Sequence, residues 1–269
     1  MKERKIAGLT IKGTSWAGTG TCFVLPEHKL CFDVAQGLPF AYGMKHYFIT
    51  HAHMDHAGGI PYIISQKALN KMPPPRFYMP SYMIEPMKQI IQTWSQLEGH
   101  QYQYDFLAVQ PDNYYPLNEH YGIKPFPTAH RIPSLGYTLF QKRKKLIHPM
   151  SQKEILERKA KGENLEKEVL VPLFSFTGDT RIEFLKARPW IAQSKILMME
   201  VTYFGHKKSI SHARQWGHIH LDELLPLLPS LQCEKIFLIH LSTRHTLEEL
   251  NAVLDQKLPP ELRQKVEAF

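Results

Sequence analysis

The chain has 269 residues, 43% of them hydrophobic, which is enough to bury a full core without disulfide staples or a bilayer. Its three cysteines, Cys22, Cys31 and Cys233, form no CxxC pair, so neither a disulfide framework nor a cysteine-built zinc site is indicated, and they read as small buried hydrophobes. A net charge of +8 and a pI near 9.2 favour a polyanionic partner.

In chain order, the charged start Met1-Lys2-Glu3-Arg4-Lys5 leads into a stretch broken by Lys12, Thr14 and Ser15, which supplies no apolar signal core. Thr21 to Leu25, Leu30 to Val34 and Tyr47 to Thr50 read as strands, and Gly59 to Leu69 as a helix. Pro73-Pro74-Pro75 is a rigid connector before Ser81 to Leu97, a surface helix with apolar residues at helical spacing (Met83, Ile84, Met87, Ile90, Ile91, Trp94) and Gly99 as its stop. Tyr102, Tyr104 and Phe106 alternate as one buried strand face. Later strands are expected at Leu135 to Phe140, Val169 to Phe176, Lys195 to Met199 and Ile236 to His240, with helices near Leu221 to Leu228 and Thr246 to Leu254. Between them, Lys142-Arg143-Lys144-Lys145 runs into the capping-box pattern Ser151-Gln152-Lys153-Glu154, so residues 141 to 168 form a solvated or protruding arm. No repeat or Gly/Ser linker divides the chain, which gives one domain over residues 1 to 269. The most hydrophobic segment, Ile236 to Leu241, is far short of the ~20 residues a membrane helix needs. No membrane partner and a cytoplasmic location are therefore expected.

The strongest chemical signal is Thr50-His51-Ala52-His53-Met54-Asp55-His56, a HxHxDH cluster at the end of a strand-like run. In an extended segment His51 and His53 project to one side and can share a cation, while the turn toward Gly58-Gly59 aims Asp55 and His56 elsewhere. That geometry asks for two metals. Further ligands must come from distant positions, and Asp179, His130 and His240 each terminate a strand-like run. Alone, such a histidine is usually a core residue and such an aspartate a cap; the HxHxDH cluster changes their reading.

HAHMDH, His130, the FTGDT segment and the terminal IHLSTRH together resemble the ordered motifs of the metallo-β-lactamase superfamily. The match narrows to its ribonuclease Z branch, short form, on Ala129-His130 followed by Ser134-Leu135-Gly136-Tyr137, on Met199-Glu200-Val201-Thr202 and on Gly217-His218-Ile219-His220. The resemblance implies an α/β fold, the αββα sandwich of two mixed sheets with helices outside. It implies that His51, His53 and His130 hold one zinc, that Asp55, His56 and His240 hold the other, and that Asp179 bridges them. It also implies Asp55 as the group that orients or deprotonates the attacking water, and Glu200 paired with His218 as the proton relay to the leaving oxygen. Imidazole and carboxylate ligands also accept manganese or iron.

By the same resemblance the substrate is precursor tRNA, cut to remove its 3′ trailer, and the enzyme is a homodimer in which one subunit's arm serves the other's site. Arg244, four residues after His240, is placed to fork onto a phosphate. The pattern departs from the family in a shortened arm, in Met199 and His245, and in Gly18-Thr19-Gly20-Thr21, which lacks a basic stretch. Those departures keep open a dinuclear phosphodiesterase for cyclic nucleotides or other small diesters, with carboxylic-ester or lactam hydrolysis, or a scaffold without catalysis, as more distant readings.

Overall fold

The structure, a computed structural model, describes residues 1 to 205 and 207 to 269. Strands β1 (Lys2–Ile6), β2 (Leu9–Ala17), β3 (Gly20–Leu25), β4 (Leu30–Phe32), β5 (His46–Phe48), β6 (Arg76–Met79) and β7 (Asp105–Ala108) lie in that order in one sheet. The second sheet is built from β8 (Tyr115–Pro116), β9 (Tyr121–Pro127), β10 (Leu135–Leu146), β11 (Glu166–Phe176), β12 (Ile196–Glu200) and β13 (Lys235–Ile239). A short β14 (Leu241–Ser242) crosses back to pair with the end of β2, and β15 (Val266–Ala268) closes the second sheet beside β13. Both sheets mix parallel and antiparallel pairs.

Strand alternation sorts the apolar residues into three layers. Phe23, Phe32 and Phe48 from the first sheet meet Tyr137, Phe174, Phe176 and Phe237 from the second in a central core. The opposite faces of the same strands carry Cys22, Val24, Tyr47 and Phe77, which pack under helices Ile60–Leu69 and Ile84–Glu98. Leu197, Met199, Ile236 and Leu238 pack under helices Leu221–Leu224 and Leu247–Lys257. Each fully buried Phe or Leu contributes roughly 1.5–3 kcal/mol, so all three layers hold the sandwich together. This is the αββα order that the resemblance implied. The three cysteines are free and buried.

The second sheet's two longest strands, β10 and β11, pair along their length to Leu146 and Glu166. Their outer parts and helix Gln152–Ala160 make an exposed hairpin, and Ser151 and Glu154 close the expected capping box reciprocally. Strands β4, β5 and β13 end earlier than the hydrophobic runs implied. β4 stops at Phe32 and β13 at Ile239, because Asp33 (φ 51°) and His240 (φ 58°) turn into the left-handed region. That conformation is costly for a side chain larger than glycine, and it persists only where surrounding bonds hold it.

Candidate metal centre

The site forms along one edge of the sandwich, where β4, β5, β11, β12 and β13 end and hand over to turns. Thr50 is its hub. The Thr50 N–H and hydroxyl donate to the buried Asp33 carboxylate at 2.8 and 2.9 Å, and the Thr50 oxygen accepts from His51 Nδ1 at 2.9 Å. His56 Nδ1 donates to Asp33 Oδ2 at 2.7 Å, His240 Nδ1 to Thr202 Oγ1 at 2.9 Å, and His130 Nδ1 to the Gly217 carbonyl at 2.9 Å. Each bond spends the donor nitrogen on the protein, which fixes the tautomer and leaves Nε2 facing inward. His53 presents the other nitrogen, with Nδ1 3.0 Å from His51 Nε2 and 3.3 Å from His130 Nε2.

These side chains fall into two groups with Asp179 between them. His51, His53, His130 and Asp179 each bring one ligand atom within 4.8 Å of the others, and so do Asp55, His56 and His240. Asp179 Oδ2 faces His51 and His130 at 3.8 and 3.9 Å, whereas Oδ1 lies 3.2 Å from both His56 Nε2 and His240 Nε2. Yet His56 Nε2, His240 Nε2 and Asp179 Oδ1 are buried without any hydrogen-bond partner. Three unpartnered polar atoms converging on one point would be costly to bury unless a cation lies among them. The donor set therefore fits divalent metal.

Electrostatics point the same way. Burial pushes the Asp179 carboxyl up, but the His240 and His56 imidazoles outweigh it and hold it well below the usual carboxylate range. Burial disfavours a charged His56, but Asp179 and Asp33 outweigh it and raise that imidazole well above its ordinary value. A proton and a metal ion compete for the same Nε2 lone pair. Asp55 is held down at about 2, burial being outweighed by the nearby His240 and His56 imidazoles, and it accepts the Gly18 N–H at 2.9 Å.

Beside the metal positions, the fully buried Glu200 accepts from the Thr180 N–H (2.8 Å), the Thr202 hydroxyl (2.8 Å) and the Ile219 N–H (3.2 Å). Its Oε1 also receives His218 Nδ1 at 2.8 Å. Burial opposes charge on His218, but the Glu200 carboxylate outweighs it and raises the imidazole to about 9. His218, Asp55, Tyr203 and Arg244 line one open cavity of about 300 Å³ over the cluster. Arg244 thus shares the cavity with the predicted ligands.

The second layer escaped sequence reasoning. Asp33, Thr50, Thr202 and Ser15, whose hydroxyl accepts the His240 N–H at 2.9 Å, orient predicted ligands but stand outside the metal-ligand spacing or only flank it. The signal for Asp33 was a charge inside the apolar run Leu30 to Val34. Gly178 (φ 59°) is required for a different reason, since a Cβ there would come within 2.6 Å of Thr50 Cγ2 and push the Asp179 turn off its support.

Comparison with known proteins bears on the fold and the family. No protein-family model matches the chain. The human tRNase Z short form (ELAC1) superposes with a TM-score of 0.60 at 18% identity, covering 88% of this chain and 93% of that one. The Bacillus subtilis metallo-β-lactamase fold protein YhfI superposes with a TM-score of 0.65 at 13% identity, covering 95% and 94%. In sequence, tRNase Z TRZ1 of Arabidopsis thaliana is 30% identical over 273 residues, spanning 100% of this chain and 97% of its own length. With a full-length relative at that identity, a metallo-β-lactamase sandwich and a His/Asp cluster fit for divalent metal at its strand ends, the chain belongs to the tRNase Z family of metal-dependent endoribonucleases.

Proposed function

We propose that this enzyme removes 3′ trailers from precursor tRNA by hydrolysing one phosphodiester bond at a two-zinc centre. His51, His53 and His130 hold one ion, Asp55, His56 and His240 the other, and Asp179 offers one oxygen to each. The observation that carries the reading is the trio of unpartnered buried atoms, His56 Nε2, His240 Nε2 and Asp179 Oδ1, with the second Asp179 oxygen turned toward His51 and His130. Two such ions, when bound, activate a water at neutral pH and neutralise charge developing on the phosphoryl oxygens. Zinc is favoured by the resemblance to the ribonuclease Z branch, while a set of five imidazoles and two carboxylates accepts manganese or iron as well.

The chain's own residues do the rest. Asp55, ionised and anchored by the Gly18 N–H, orients the attacking water. His218, held charged by Glu200, delivers a proton from its remaining nitrogen Nε2 to the departing ribose oxygen. Arg244 on the cavity wall contacts a phosphate oxygen. Residues 141 to 168 serve as the arm that meets the tRNA body, where basic residues outnumber acidic ones and the hairpin is exposed. The chain works as one domain over residues 1 to 269 and in a reducing compartment such as the cytoplasm, which its free cysteines suit. No described helix is long and apolar enough to cross a membrane.

The chain also pairs with a second copy of itself. The apolar residues exposed on helix Ile84–Glu98, Ile90, Trp94 and Leu97, give such a pair a surface to bury, and solution sizing of the wild type and Ile90→Glu tests it.

The test of function is cleavage of an end-labelled precursor tRNA by the purified zinc-loaded protein, with bis(p-nitrophenyl) phosphate assayed in parallel. Metal-dependent release of the trailer, lost in His53→Ala, is the expected result. Intact tRNA beside hydrolysis of the small diester would keep the metal chemistry and reject tRNA processing.

A further inference from the structure

We infer that Trp216 and Arg131 form a stacking subsite for the unpaired base of the nucleotide whose ribose oxygen leaves. The inference rests on the proposed cutting of RNA with His218 as proton donor. A lone exposed tryptophan is ordinary and carries nothing by itself. Trp216 differs in its companion and its attachment. It is 45% exposed, and the guanidinium of the exposed Arg131 lies over its ring at 4.8 Å.

Both residues are fixed to the site through the backbone. Arg131 follows His130, whose Nδ1 donates to the carbonyl of Gly217, the residue between Trp216 and His218. Gly217 (φ 79°) packs so closely there that a Cβ would come within 2.8 Å of His130 Nδ1 and 3.1 Å of Arg131 N. The N–H groups of Trp216 and His218 both donate to the Ala213 carbonyl, at 3.1 and 3.0 Å. The backbone that carries the indole is therefore held in a fixed relation to the backbone of the proton donor. A row of rings connects them, His218 to Tyr203 at 6.2 Å, Tyr203 to His212 at 5.5 Å and His212 to Trp216 at 6.4 Å.

Chemistry assigns the occupant. The leaving oxygen must come within reach of His218 to take its proton, so the nucleotide bearing it lies on the His218 side of the cavity, toward Tyr203 and Trp216. An unpaired base there has an indole face to stack on, and Arg131 adds a cation beside the backbone phosphate. Stacking accepts any base, so the subsite fixes position without selecting sequence.

The experiment is a cycle between protein and substrate. Wild type, Trp216→Ala, Trp216→Tyr and Arg131→Met, each checked for an unchanged melting temperature, are assayed on precursor tRNA that is intact, abasic at the leaving-side nucleotide, or abasic just across the cut. On intact substrate, Trp216→Ala is expected to lower kcat/KM roughly tenfold, with Trp216→Tyr restoring most of it and Arg131→Met intermediate. The leaving-side abasic substrate is expected to cost wild type a similar factor and to cost Trp216→Ala nothing further, while the abasic site across the cut costs both proteins equally. Independent, multiplying losses at the leaving side, or no loss for Trp216→Ala, would overturn the subsite while leaving the tRNA reading intact. Failure of wild type on intact precursor would instead remove both.

Discussion

The strand-end edge and the β10–β11 hairpin are both rich in polar side chains, but they hold them in opposite ways. At the edge, every predicted metal-binding imidazole except His53 spends its donor nitrogen on a hydrogen-bond acceptor in the protein. On the hairpin, Lys142 reaches Glu168 at 3.4 Å, Lys144 reaches Glu166 at 4.0 Å and Arg158 pairs with Glu163, all at exposed or half-exposed positions where an ion pair is worth little. The edge is built to fix a geometry; the hairpin is built to present charge. Substitution should therefore act on chemistry at the first and on substrate affinity at the second.

The largest effect is expected from Asp179→Asn, which leaves the shape but replaces one of the two oxygens that face the two groups of predicted ligands. Phosphodiester cleavage should fall by roughly a thousandfold or more on either substrate, read by initial rates with metal in excess. Next comes His218→Asn, expected to cost about 10²–10⁴-fold on precursor tRNA and far less on bis(p-nitrophenyl) phosphate, whose leaving group departs without a proton. Equal losses on both substrates would remove His218 from the role of acid. Its titration gives a pH signature. With the imidazole raised from 6.5 to about 9, the charged form persists through neutrality and is lost as pH rises through about 9. The wild-type rate on tRNA should fall as pH rises through about 9, a limb absent in His218→Asn, and the part of stability owed to the Glu200 pair should decline between 6.5 and about 9.

Asp33→Ala probes the support rather than the ligands. Releasing His56 Nδ1 and Thr50 together should weaken metal retention about 10–100-fold in chelator competition. The smallest effect is expected from replacing Lys142, Arg143, Lys144 and Lys145 by alanine. KM for precursor tRNA should rise severalfold and its salt dependence flatten, with small-diester hydrolysis unchanged and stability shifted by about 0.5 kcal/mol or less per site. A fall in small-diester turnover would mean that the hairpin and the edge are not separable.

The same contrast explains what was legible in the sequence. HxHxDH stands out because its metal-competent side chains are contiguous, and Asp179, His130 and His240, which the structure brings to the same cluster, because each ends a strand-like run. Asp33 and Thr202 were not legible as parts of the site, because hydrogen bonds to histidines distant in sequence leave no spacing to read. The turns at Asp33 and His240 were hidden too, since the runs Leu30 to Val34 and Ile236 to His240 look like uninterrupted strands until the backbone is seen to reverse its φ. Strands β1, β2, β6 and β9 were missed where polar or proline residues interrupt the apolar pattern, and pairing with neighbours decides them. Tyr102, Tyr104 and Phe106 do share one half-buried face, although the strand itself begins only at Asp105.

Metal stoichiometry tests the central claim most directly. Native mass spectrometry of the purified wild type should find two zinc ions per chain, and His56→Ala should retain one ion or fewer. A wild type that holds a single ion, or a His56→Ala variant that still holds two, would contradict a centre divided between His51, His53 and His130 on one side and Asp55, His56 and His240 on the other.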